Sequence, residues 1–260
     1  LLGLAAGFGL LNKYLIALEI VAILVAFVIS PYRSLFGRST FYIAILIAFV
    51  VFLPNLIWQV KNQFPVLVHM QALNDTQLVH VNRMSFFTDQ LFMGSAAIFL
   101  FIPGIIFMGF GRSLKPYRPL IVASFIVLFG LAFLRGKSYY TLGLFPLWIA
   151  AGGVFWENIL KRNVVKILLP AIMLLLSIPV IPMGVPVYKA DKLAAYFDGA
   201  KNKAGFDMAL RWEDGRIHSL PQDYADMLGW DELAAITAKA YNQVTDKKAG
   251  IIYAENYGQA

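Results

Sequence analysis

The sequence has no cysteine and few charged residues, and both absences limit what the protein can be. Without cysteine, disulfide bonds and thiolate metal sites are excluded. Charged residues make up 14% of the chain, whereas hydrophobic residues make up 59%. This balance is too apolar for a soluble domain of 260 residues, so the composition indicates a membrane protein.

The motifs of common soluble enzymes are also absent. The sequence has no phosphate-binding glycine loop, no nucleophile elbow and no His-Glu-x-x-His pair. Residues 1–184 contain 13 Lys or Arg against 4 Asp or Glu, whereas residues 185–260 contain 9 against 11. The basic excess therefore lies among the apolar segments, where it sets membrane topology, and nucleic acid is not an expected partner.

Long apolar runs are what the first 184 residues do contain. Most have nearly the length needed to cross a bilayer, about 20 residues, and only helices satisfy their backbone in lipid. The runs cover residues 15–30, 41–60, 91–110, 119–134, 141–156 and 167–183. Residues 1–12 form a further apolar segment, and the polar residues Asn12 and Lys13 favour a break before the next run. We predict about six to seven spans over residues 1–184.

The loops between these runs alternate in charge. Loops 31–40, 111–119 and 157–166 are short and basic, hence cytoplasmic by the positive-inside rule. The loop over 61–90, the turn over 135–140 and the chain after residue 184 then face the periplasm. The protein is predicted to be a multi-pass membrane protein.

Residues 185–260 have the composition of a soluble segment. Helices are predicted over 188–203 and 221–243, and a strand over 249–254. We therefore expect the start of a small α/β periplasmic domain. The chain begins inside an apolar run and ends within a pattern, which predicts a piece of a longer protein.

Polar residues in the loop over 61–90 are candidates for a site, although a solvated loop with an interfacial helix explains them equally well. They are His69, Asp75, His80, Asn82, Arg83 and Asp89. The spacing of the two histidines matches no common metal site. Inside a span, Glu19 is a functional candidate, but an ion pair with Lys13 is the favoured explanation. Trp58, Trp148 and Trp156 are interpreted as interfacial anchors.

The basic residues on the predicted periplasmic side form the main candidate site. They are Lys13, Arg83, Arg135 and Lys137, and Tyr139 and Tyr140 follow directly. If they converge, they form an electropositive pocket at headgroup depth that suits the phosphate of a lipid. The alternative is that they are scattered residues whose charges reach water separately.

Several segments resemble the bacterial glycosyltransferase family 39 proteins, which are similar to the dolichyl-phosphate-mannose-protein mannosyltransferases. The segments are GLAAGFGLLNKY (3–14), FLPNLIWQ (52–59) and KSYYTLGLFP (137–146). In the second region, WEDG (212–215), LPQDYADMLGW (220–230) and NYGQA (256–260) resemble the external domain of one bacterial branch. The resemblance covers nearly the whole chain.

This resemblance implies a GT-C-like α-helical membrane bundle that transfers a sugar from a polyprenyl-phosphate carrier to a glycan, lipid or protein acceptor on the periplasmic face. It implies that Lys137, Tyr139 and Tyr140 lie near the lipid phosphate, with Arg83 as a further ligand. Lys13 is added as a ligand because it belongs to the same predicted electropositive pocket. The catalytic carboxylate of such enzymes is expected before residue 1, so the chain by itself is predicted to be inactive. No cofactor is evident; a divalent metal is compatible with the chemistry, but no residue pattern indicates one.

Two other functions remain open on the sequence. A transporter or lipid flippase predicts internal symmetry and polar residues within the spans, and the sequence has little of either. A non-catalytic membrane protein with an external interaction domain is the third alternative.

Overall fold

The structure is a computed structural model that describes residues 1–76, 78–212, 214–248 and 250–253, and most of them are helical. The α-helices are α1 (Leu2–Asn12), α2 (Ile16–Val28), α3 (Ser39–Lys61), α4 (Pro65–Thr76), α5 (Arg83–Gly94), α6 (Ile98–Phe110), α7 (Arg118–Phe133), α8 (Phe145–Ile159), α9 (Asn163–Ser177), α10 (Ile181–Gly184), α11 (Ala190–Ala204), α12 (Gln222–Ala225) and α13 (Trp230–Asn242). Short 3₁₀ helices lie at Pro31–Gly37, Leu78–His80, Ser95–Ala97, Lys115–Tyr117, Ser138–Leu144, Ile178–Val180 and Met208–Leu210.

The chain forms two compact units. The first comprises Leu1–Ile181 with a short segment of the loop after Trp212, and the second comprises Pro182–Trp212 and the chain from Arg216 onward. The predicted border at residue 184 lies close to this division. The assignment of residues 1–184 to the membrane and of residues 185–260 to the periplasm stays a prediction.

Five helical segments of the described chain are long and apolar enough to cross a membrane. They are Ser39–Lys61, Arg83–Phe110, Lys115–Phe133, Ser138–Ile159 and Asn163–Gly184, and each coincides with one of the predicted apolar runs to within one residue or contains it. A sixth span arises if α2 is counted with Pro31–Gly37, although the two helices meet at 108°. The fold is therefore that of a multi-pass helical membrane protein.

The core of the first unit lies between two helix pairs. In the first, α2 packs against α7, and these helices run antiparallel because Leu18 lies beside Gly130 while Ala26 and Val122 line one cavity. In the second, α6 packs against α8, where a Cβ added to Gly104 would overlap the Trp148 carbonyl oxygen. The absence of a side chain at this position thus permits the close helix crossing.

Two of the predicted spans bury almost nothing within the structure. In α3 and in Asn163–Gly184, none of the 18 most apolar consecutive residues is buried, whereas 39% of that stretch is buried in Lys115–Phe133. Apolar helices with fully exposed faces require lipid around them or further helices. Their exposure is what a membrane-spanning role predicts.

The tryptophan interpretation is wrong for Trp148. This side chain is 2% exposed and packs against Phe101 and Phe145 in the core of the first unit. An indole near the end of a helix reaches an interface only if it points outward, and α8 turns Trp148 inward toward α6. Trp58, by contrast, is 52% exposed.

The α/β character predicted for the second unit is not supported by its described residues. Its described residues contain helices and one isolated antiparallel bridge between Arg211 and Ile217, but no regular strand. Ile251–Tyr253, in the predicted strand, have no regular structure, while residues 249 and 254–260 lie outside the described chain. A β-rich segment needs a partner strand, and the described residues supply none.

Of the two helices predicted for the second unit, the first is confirmed as α11, whereas the second is divided into α12 and α13 by a turn at residues 226–229. As expected from the helix dipole, α13 has Asp231 and Glu232 in its first turn. Leu193, Phe197 and Leu210 form a small core between α11 and the following loop. This unit thus folds around its own apolar cluster.

Candidate functional site

The turn between α1 and α2 places Lys13 at one end of the first unit. The backbone of Lys13 is extended and ends α1, while its carbonyl accepts a hydrogen bond from Ile16 N–H at 3.1 Å. The predicted break at residues 12–13 is therefore confirmed. Lys13 and Tyr14 are exposed at this turn, directly before the second apolar helix.

A chain of hydrogen bonds fixes this turn to the end of α3. The hydroxyl of Tyr14 donates to Asn55 Oδ1 at 2.6 Å and accepts from Gln59 Nε2 at 2.7 Å. Gln59 Oε1 in turn accepts from Val66 N–H at 3.4 Å. Tyr14, Asn55 and Gln59 all lie in segments that resemble the transferase family, and the structure joins them in one network.

The end of α7 positions Arg135 and Gly136. Gly136 N–H donates to Leu131 O at 2.7 Å and Arg135 N–H donates to Ala132 O at 3.4 Å, which together form a Schellman motif. Arg135 occupies the left-handed position with φ of 55°, where glycine is usual. An arginine in that conformation costs on the order of 1 kcal/mol, and such strain is more common at functional sites.

Arg83 caps the same helix end from α5. Its Nη2 donates to the Phe133 carbonyl oxygen at 3.3 Å, where the helix has an unsatisfied acceptor. The arginine is itself placed by Asn82, whose Oδ1 accepts from Met84 N–H at 2.8 Å. Arg83 therefore begins a spanning helix and lies beside the segment that leads to Arg135.

The 3₁₀ helix Ser138–Leu144 carries both tyrosines and begins directly after Lys137. Tyr139 and Tyr140 pack edge to face with ring centroids 4.7 Å apart. The Nζ atom of Lys13 lies 4.3 Å from the centroid of the Tyr140 ring, a cation–π contact. The structure thus joins Lys13 to the segment at residues 137–146, which is distant in sequence.

A buried polar pair fixes this 3₁₀ helix to α5. Thr141 is fully buried, and its hydroxyl lies within hydrogen-bonding distance of Gln90 Oε1 and of Ser138 O. Gln90, 6% exposed, donates through Nε2 to Phe86 O at 3.0 Å. Sequence reasoning did not identify Gln90 or Thr141; the available signal was a lone amide inside a spanning helix.

Glu19 lies against the same 3₁₀ helix from α2. Its Oε1 would be 4.0 Å from a Cβ added to Gly143, and the side chain is half-buried. The expected ion pair with Lys13 is not formed in the described chain, because Lys13 lies over Tyr140 instead. Glu19 therefore remains a carboxylate in an apolar span without a neutralising partner among the described residues.

The predicted site residues fall into two groups in space. Lys13 and Tyr140 are in contact, Tyr139 packs on Tyr140, and Lys137 is the residue that precedes this 3₁₀ helix. Arg83 lies separately, against the end of α7. We call the region formed by Lys13, Arg83 and Arg135–Tyr140 the Lys13 end.

The polar residues of the loop over 61–90 do not form a metal centre in the described chain. There, no group of three or more His, Asp or Glu side chains is placed to bind a metal ion. His69 and Asp75 lie on α4 and Asp89 on α5, whereas the side chain of His80 is outside the described part.

Comparison with known proteins gave one match, to a family model at the start of the chain. A search of curated proteins and one of solved structures each gave no significant match. Residues 1–58 match the family model of dolichyl-phosphate-mannose-protein mannosyltransferase. The resemblance predicted from the sequence is therefore confirmed over these residues, which are similar to that family.

Proposed function

We propose that the protein is a membrane glycosyltransferase that uses a polyprenyl-phosphate-linked sugar as donor. The observation that carries this proposal is the contact between Lys13 and Tyr140. Lys13 belongs to the segment that matches the mannosyltransferase family model, whereas Tyr140 belongs to a segment outside that match. A contact between them is expected if both segments line one donor site.

The phosphate of the donor is proposed to lie against Lys137, Tyr139 and Tyr140, with Lys13 and Arg83 as further cations. The transferred sugar leaves a phosphate whose negative charge grows as the glycosidic bond breaks. Ammonium and phenol groups that are already in place stabilise this charge more than they stabilise the ground state. The burial of Thr141 supports such a role, because it fixes the backbone that carries both tyrosines.

The reaction is proposed to be an inverting displacement. A hydroxyl oxygen of the acceptor attacks the anomeric carbon, the bond from that carbon to the phosphate oxygen breaks, and the phosphate leaves with the electron pair. The hydroxyl proton passes to a carboxylate acting as general base. The carrier chain stays in the bilayer between spans, and the acceptor enters from the periplasmic face of a bacterial inner membrane.

The test is transfer by the full-length protein from a polyprenyl-phosphate sugar after Lys137→Ala. Removal of one preorganised charge-stabilising group lowers kcat on the order of 100-fold in comparable sites. The matched control is Lys161→Ala, because Lys161 is exposed and lies after α8, at the opposite end of that helix. Unchanged turnover after Lys137→Ala would refute the phosphate role of this segment.

A further inference from the structure

A cavity of about 1050 Å³ lies between the loop that follows α2 and the loop that precedes α7. Four of its lining residues are basic and none is acidic. The basic ones are Arg38, Arg112, Lys115 and Arg118. We call this site the cationic cavity; since α2 has 13 residues, it lies roughly 20 Å from the Lys13 end.

The two loops around the cavity are fixed to each other. The Tyr32 hydroxyl donates to the Pro116 carbonyl oxygen at 3.1 Å and so bridges the loops. Tyr32 N–H donates to Ser30 Oγ at 3.2 Å, and the Tyr32 ring packs against Phe27 of α2. The cavity is thus built into the packing of the first unit.

The positive charge around the cavity is not neutralised within the described chain. The side chains of Arg38, Arg112 and Lys115 form no ion pair with any described residue. Arg118 donates through Nη2 to Phe110 O at 3.4 Å, but its buried Nε has no hydrogen-bond partner among the described atoms. Four like charges around one space repel each other, and an anion between them would remove this repulsion.

Two helix ends add to the positive potential. Arg38 is the N-cap of α3, and α7 begins at Arg118, so both helices start at the cavity. The dipole of a helix N-terminus attracts anions, although at α7 the Arg118 N–H already donates to Lys115 O and Pro119 has no N–H. The field at this site therefore has two sources, the side chains and the backbone.

We propose that the cationic cavity binds the phosphate headgroup of an anionic phospholipid. One wall is apolar and is formed by Ala26 and Ile29 of the α2 end and Val122 of α7, so an acyl chain can continue from the headgroup along these helices. Basic cavities between spanning helices at the ends of the spans are typical of such lipid sites. This inference does not depend on the proposed transferase function.

The test uses the full-length protein in nanodiscs of phosphatidylcholine that contain a titrated fraction of phosphatidylglycerol, with the retained lipid counted by native mass spectrometry. The wild type is expected to retain phosphatidylglycerol. The double variant Arg38→Gln/Arg112→Gln is expected to bind it at least about tenfold more weakly, because each basic contact to an anionic headgroup adds affinity. Both arginines are exposed, so the variant should keep its thermal midpoint in pure phosphatidylcholine.

The matched control is Lys161→Gln/Arg162→Gln, which removes two exposed charges from the next basic loop outside the cavity. An equal loss of phosphatidylglycerol in this control would overturn the proposal, since the attraction would then be a general property of the basic surface. Retention of phosphatidylglycerol by the Arg38/Arg112 variant would overturn it as well.

Inorganic phosphate separates a lipid site from a site for a soluble anion. Millimolar phosphate, added to the protein in pure phosphatidylcholine, is expected to raise the thermal midpoint less than phosphatidylglycerol does. An equal rise that depends on Arg38 and Arg112 would contradict lipid binding and indicate a free phosphate site.

Discussion

The two ends of the antiparallel pair α2 and α7 both carry basic residues but hold them in different ways. At the Lys13 end, Lys13 lies over an aromatic ring and Arg83 binds a helix carbonyl. At the cationic cavity, four basic side chains surround one space that no acidic residue lines. The first arrangement fixes individual charges, whereas the second concentrates charge around an open volume.

This difference indicates different ligands. On the predicted topology, the cationic cavity lies at the cytoplasmic face, where basic loops are usual, and the Lys13 end lies at the opposite face, where they are not. That prediction gives the charges of the Lys13 end a functional reason, and the nearby phenols and carboxylate are groups that sugar-phosphate chemistry uses. The cationic cavity needs only an anion with an apolar chain.

The largest expected effect comes from removing Lys13. Lys13→Ala should lower kcat/KM for transfer about 100-fold, because the phosphate loses a fixed cation. Stability should fall by no more than about 1 kcal/mol, the usual size of an exposed cation–π contact. Kinetics and thermal melts of the same preparation measure both effects.

Two substitutions of Tyr140 separate the placement of Lys13 from the phenol itself. Tyr140→Phe loses the phenol but keeps the cation–π contact, whereas Tyr140→Leu loses both, so transfer should fall further in Tyr140→Leu than in Tyr140→Phe. If Lys13→Ala transfers sugar at the wild-type rate, the Lys13 end loses its distinction from a set of scattered surface charges.

An intermediate effect is expected at the buried pair Thr141 and Gln90. Thr141→Val leaves the Gln90 carbonyl oxygen without its donor and should lower the free energy of unfolding by about 1–3 kcal/mol. Thermal melts in a fixed detergent measure this loss.

The double variant Gln90→Leu/Thr141→Val sharpens this result. Because both polar groups are removed together, it should be more stable than Thr141→Val alone. Equal or lower stability of the double variant would show that the pair does not hold the 3₁₀ helix Ser138–Leu144 as described.

The smallest expected effect on stability is at Glu19. Glu19→Gln removes an ionisable group from an apolar span and should stabilise the protein by about 0.5 kcal/mol. If the carboxylate holds a hydroxyl of the sugar or acceptor beside Gly143, transfer should fall at the same time. Glu157 is exposed near the C-terminal end of α8, so Glu157→Gln is the matched control for both measurements. A Glu19 variant with full activity would assign this residue no part in the site.

The helices were predictable because membrane insertion leaves a strong signal. Long apolar runs identified the five spanning segments, and the polar residues at 12–13 identified the break between α1 and α2. Grouping Lys13 with Lys137 and Tyr140 required the loop charges, which predicted that these residues face the same side.

The errors have physical causes. The position of Trp148 depends on which face of α8 meets α6, and a spanning helix has apolar residues on every side, so its sequence does not show which face points inward. Gln90 and Thr141 lie 51 residues apart in the sequence, so no local pattern joins them. The predicted strand near residue 251 rested on β propensity alone, which is decided by tertiary partners.

Photocrosslinking tests the central claim most directly. A polyprenyl-phosphate analogue with a diazirine next to the phosphate would be added to the full-length protein in vesicles that contain excess phosphatidylglycerol, and the labelled peptides would be identified by mass spectrometry. We predict labels at Lys13–Tyr14 and at residues 137–141. Labels confined to the loops around Arg38 and Arg112 would contradict the account.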